Sequence, residues 1–63
     1  MKIKIKSFNG VLADFLTLDK SYLVQEVLDD YLLSVNDDNG DAMIVYTEDC
    51  DYLNGGSWEV VDE

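Results

Sequence analysis

The chain has no histidine, all four of its basic residues are lysines, and its one cysteine, Cys50, has no second thiol to pair with. These absences remove the Ser–His and Cys–His pairs of nucleophilic catalysis and the His-and-Cys ligand sets of most zinc enzymes. No cofactor, metal or enzymatic activity is expected. A lone thiol also excludes a disulfide framework, which in a short chain points to a reducing compartment and hence to the cytoplasm. Asp49 and Asp51 flank Cys50 and disfavour its thiolate, so an unreactive thiol at or near the surface is expected. No apolar run approaches the roughly 18 residues of a membrane span, and none of about 7 to 15 follows the lysine-bearing start, so no membrane partner is expected.

Bases are missing from most of the chain. Lys2, Lys4, Lys6 and Lys20 all lie in the first third, and from Ser21 onward there are twelve acids and no base, within a net charge of −10. Direct binding of nucleic acid or anionic lipid is disfavoured, because affinity there comes from Lys and Arg neutralising phosphates. None of Asn9-Gly10, Asn39-Gly40 or Gly55-Gly56 has the lysine context of a phosphate loop. Asp37-Asp38-Asn39-Gly40-Asp41 suggests a calcium loop, but with Gly40 at the sixth position the first and twelfth ligands would be Val35 and Tyr46. Crowding of like charge predicts carboxylate pKa values above the usual range.

What the sequence does contain is strand pattern. Its 63 residues form one small domain without repeat or linker, burying about 60% of the unfolded surface. Asn39-Gly40 between apolar segments predicts a hairpin with a two-residue type I′ loop. That register sets Asp38 opposite Asp41, Asn36 opposite Met43, Val35 opposite Ile44 and Leu33 opposite Tyr46, burying Leu33, Val35, Ile44 and Tyr46 on one face. Ile3 and Ile5 alternating with lysines predict a strand over Met1–Phe8, followed by an extended loop with Phe15 and Leu16 turned inward. Tyr22 and Val24 begin another strand, and Asp29-Asp30 is a candidate turn into the strand starting at Tyr31. Thr47–Ser57 reads as loop with one helical turn around Glu48–Leu53, and Trp58, Val60 and Val61 form a closing strand ended by Asp62-Glu63. Tyr22, Tyr46 and Trp58 are expected in the core.

The expected class is all-β, with one rival. Val24, Val27, Leu28, Tyr31, Leu32 and Val35 fall near a 3.6 period, so an α+β fold with a helix within residues 20–35 is the alternative. The strand reading requires a bulge near Glu26.

Leu16-Thr17, Lys20, Tyr22-Leu23-Val24, the paired acids, Tyr31-Leu32-Leu33, Val35-Asn36-Asp37-Asp38, Gly40 and Trp58-Glu59-Val60-Val61 resemble short SH3-like barrel proteins encoded in phage and prophage genomes. The resemblance covers about residues 15–61. It departs at Asp19, where such chains usually carry glycine, and at Asp49–Ser57, which looks like an insertion. It implies a small five-stranded SH3-like barrel of phage origin, a group in which some small acidic members inhibit host nucleic-acid enzymes.

Two binding roles follow. In the first, an acidic arc of Asp29, Asp30, Asp37, Asp38, Asp41, Glu48, Asp49 and Asp51 mimics nucleic acid and occupies a basic surface of a host protein, complementary potential steering the encounter. In the second, aromatic residues line a groove that takes a peptide, as in SH3 adaptor modules; Tyr31 and Tyr52, set among acids, are the surface candidates. The chain is expected as a monomer or homodimer.

Overall fold

Alternation of Ile3 and Ile5 with lysines makes the first strand, β1 (Lys2–Ser7), and drives both isoleucines into the core. In a computed structural model, which describes residues 1–61, four more strands follow: β2 (Tyr22–Asp29), β3 (Leu32–Asn36), β4 (Ala42–Tyr46) and β5 (Ser57–Val61). A 3₁₀ turn at Asp51–Leu53 precedes β5. The closing strand is therefore as expected, while its proposed end at Asp62-Glu63 lies outside the described residues. All strand pairs are antiparallel, in the sheet order β4-β3-β2-β1-β5.

Two halves of one sheet share β2. Its start pairs with β1, Ile3 opposite Tyr22, and the rest pairs with β3. The sheet curls into a small, partly open barrel, and Trp58 N donates to Thr47 O at 2.8 Å to tie the end of β4 to the start of β5. Inside lie Ile3, Ile5, Leu16, Tyr22, Leu33, Val35, Met43, Val45, Cys50, Leu53 and Trp58. The long loop of residues 8–21 turns Leu16 into this core and Phe15 partly so. It is pinned to the β3–β4 hairpin where Asp38 N donates to Phe15 O at 3.0 Å.

The helix considered for residues 20–35 does not form. Two register shifts in β2, between Val24 and Glu26 and between Val27 and Asp29, explain why a helical period was visible. Val24 pairs with Val35 and Val27 with Leu33, so a bulge between them puts residues three apart on one face.

The hairpin register also differs from the expected one. Leu33 pairs with Val45, Ser34 with Ile44 and Val35 with Met43, a slip of one residue that turns Met43 and Val45 inward and leaves Ile44 and Tyr46 exposed. Turn chemistry is the cause. Asp37 Oδ1 accepts from Asn39 N and Asp41 N at 2.9 and 3.0 Å, and Gly40 N donates to Asp37 O, making a three-residue loop. Only Gly40, at φ 82, has positive φ there, whereas the type I′ loop needs it at Asn39 as well.

Cys50 is a further correction: it is 1% exposed, because its neighbours' carboxylates point to solvent while its thiol accepts a hydrogen bond from Trp58 Nε1 at 3.4 Å. Asp19, where the resemblance led one to expect glycine, has φ 67, a left-handed conformation that Asp tolerates better than most residues.

Candidate functional site

The expected acidic arc is divided by the strands that carry it. Asp29 and Asp30 lie where β2 turns into β3, and Asp37, Asp38 and Asp41 lie at the other end of β3, roughly 15 Å away at the usual rise per strand residue. Glu48, Asp49 and Asp51 follow β4, on the side of Asp29 and Asp30, since Thr47 N donates to Tyr31 O. Asp29, Asp30, Asp41, Glu48, Asp49 and Asp51 are exposed, as is Tyr31.

Asp38 is not a free surface acid. Its Oδ1 accepts from Lys20 Nζ at 2.7 Å and from Tyr22 Oη at 2.9 Å, and its Oδ2 accepts from Thr17 Oγ1 at 2.6 Å. The Tyr22 oxygen in turn accepts from Thr17 N at 2.7 Å. The Lys20 ammonium, followed by the Thr17 hydroxyl, holds the Asp38 carboxyl at about 2, below its usual 3.8. The same hydrogen bond raises Lys20, and burial raises the Tyr22 phenol. The upward shift expected from acid crowding is thus reversed at Asp38, because local donors outweigh distant like charges. This network joins the long loop to the hairpin; Asp37 is likewise occupied by the turn it stabilises.

A second feature lies between β4 and the 3₁₀ turn. Ile44, Tyr46, Cys50, Asp51 and Tyr52 line an open cleft of about 300 Å³. Its walls come from the hairpin register, which sends Ile44 and Tyr46 outward, and from the turn, which places Tyr52 edge-to-face against Phe15 at a ring separation of 5.9 Å. The turn is held by Asn54, which ends it at φ 55 and donates through Nδ2 to Asn9 O at 2.6 Å, while Asn9 Nδ2 donates to Asn54 O. Tyr22 and Trp58 fill the core as expected, ring against ring at 5.7 Å. Tyr46 does not.

Of the expected surface residues, the structure gathers Asp51 and Tyr52 in this cleft with Glu48 and Asp49 next to it in sequence. It leaves Tyr31, Asp29 and Asp30 at the β2–β3 turn and the hairpin aspartates at the far end. Ile44 and Tyr46 were missed as surface residues because their exposure depends on the one-residue register. The Thr17–Lys20–Tyr22–Asp38 network joins segments far apart in sequence; the one signal was that Lys20 is the sole base outside the first strand. Among the described residues no group of three or more Cys, Asp or Glu is arranged to hold a metal ion, and no helix is long and apolar enough to cross a membrane. Comparison with family models, with curated proteins and with solved structures returns no match.

Proposed function

We propose that this protein is a non-enzymatic binding protein whose working surface is the cleft between β4 and the 3₁₀ turn, and that it takes a basic segment of a partner protein. The observation that carries this is the coincidence of exposed apolar and aromatic side chains, Ile44, Tyr46 and Tyr52, with a surrounding surface that has acids and, from residue 21 to 61, no base. Aromatic rings anchor, and the acids steer the encounter and select for positive charge. A partner that handles nucleic acid fits this chemistry, since such proteins present basic surfaces. The phage inhibitor implied by the resemblance is one form of that role.

Nucleic-acid mimicry is the second reading, favoured by the exposed carboxylates Asp29, Asp30, Glu48 and Asp49 on one side of the barrel. It differs in which residues matter. Rates of association and dissociation with a captured basic partner, measured at two salt concentrations, separate the two. The cleft reading expects Tyr46→Ala with Tyr52→Ala to speed dissociation at least tenfold and Glu48→Gln with Asp49→Asn to slow association. Binding that is indifferent to both tyrosines, follows the acids alone and is competed by DNA would replace the cleft with the mimic.

A further inference from the structure

Resting on that reading, we propose that the basic segment binds as an additional strand hydrogen-bonded to the open edge of β4. The ladder with β3 fixes which backbone groups are free. Thr47 N donates to Tyr31 O and Asp37 N donates to Asp41 O, so the odd-numbered positions of β4 turn their amides and carbonyls toward β3. Ala42, Ile44 and Tyr46 therefore turn theirs outward, on the side where the sheet order ends. Their side chains are exposed as well.

Edge strands are ordinarily guarded by a charge, a proline or a covering element, because outward amides invite pairing. The sequence Ala-Met-Ile-Val-Tyr has neither charge nor proline, and the open cleft lies beside it. Strand addition uses these outward backbone groups, and the alternate side chains of the incoming strand supply specificity.

Charge selects the occupant. On the outer face Glu26 is opposite Ser34 and Ser34 opposite Ile44, while Asp29 is opposite Leu32 and Leu32 opposite Tyr46, so acid-bearing rows run to the edge from one side. Asp51 borders the cleft from the other. Glu26 and Asp29 lie two strands in from that edge, so a strand with lysine or arginine at every second position sets its cations near Asp51 and within the longer-range field of those acids. A second copy of this chain is the poorer occupant: pairing through β4 brings two chains of net charge −10 edge to edge.

The test uses the intact protein, a capped hexapeptide of alternating lysine and valine, and the same peptide N-methylated at every second residue. Amide hydrogen exchange is followed by NMR. Bound unmethylated peptide is expected to slow exchange at Ala42, Ile44 and Tyr46 at least tenfold and to leave Met43 and Val45, already paired with β3, unchanged. Methylation of the amides that face β4 is expected to weaken binding at least tenfold. Perturbation of Tyr46, Asp51 and Tyr52 without slowing at the three amides overturns strand addition while leaving a basic ligand in the cleft. Binding of neither peptide at millimolar concentration overturns both readings. Slowing that needs no peptide and grows with protein concentration assigns the edge to a second copy and overturns this proposal.

Discussion

Asp38 shows how one side chain can carry the opposite electrostatic sign from its surroundings. In a chain with ten more acids than bases, it is the carboxylate with three side-chain donors, so its proton affinity falls where crowding alone would raise it. A carboxyl at about 2 when folded and 3.8 otherwise binds fewer protons folded, so its contribution is present above about pH 4 and is lost as pH falls toward 2. Lys20 and Tyr22 shift upward, so their contributions are held below about pH 10 and lost as pH rises past it. Melting temperatures from about pH 5 down to about pH 2.5 should therefore fall less steeply in Asp38→Asn than in the unaltered protein. Parallel acid limbs would show that the network contributes nothing. Lys20 was legible as the odd base, but its partner was not, because a pairing across eighteen residues leaves no local period.

Among the glycines, Gly56, at the junction of β1 and β5, is the one with no room for a side chain. A Cβ placed on Gly56 would lie 2.0 Å from Ser7 O and 2.7 Å from the Phe8 Cα, both backbone atoms that cannot swing away. Ser7 and Ser57 clasp the same point, their hydroxyl oxygens 3.0 Å apart. Gly56→Ala should cost about 3 kcal/mol or more in urea unfolding, while Gly40→Ala, open in space but at φ 82, should cost about 1 kcal/mol. Equal losses at the two sites would refute the steric account. Strand positions were legible wherever apolar and polar residues alternate, as in β1. They were not legible in register at β4, where Met43, Ile44, Val45 and Tyr46 are apolar on both faces and the pattern accepts either alignment. The decision there passes to Asp37, whose side chain accepts two turn amides and adds a residue to the loop. The cleft inherits this ambiguity, since half its apolar lining is the face that the slip exposes.

For the molecule as a whole, charge is distributed unevenly around the barrel: lysines on β1, where Lys4 lies opposite Glu59, and acids at both ends of the β3–β4 ladder. Self-repulsion in the folded state should be relieved by salt, raising the melting temperature by about 4–8 °C between about 10 and 200 mM sodium chloride if the relief reaches about 1 kcal/mol. A flat response would mean that the acids are spread widely enough to repel little, or that the β1 lysines compensate them. The same arrangement has a consequence in time. β1 and β5, paired from Lys2 with Val61 to Ser7 with Ser57, meet only after nearly every described residue exists. At about 5–20 residues per second of synthesis, the first strand waits roughly 3–11 s for that partner. Until β5 arrives, Ile3 and Ile5 lack most of the strand partners they have when folded, and an apolar segment in that condition is the kind that recruits other chains. Lys2, Lys4 and Lys6, spaced between and beyond those isoleucines, are charges of the kind that oppose such recruitment, so replacing them by Thr should raise aggregation during expression more than it lowers the stability of the folded chain.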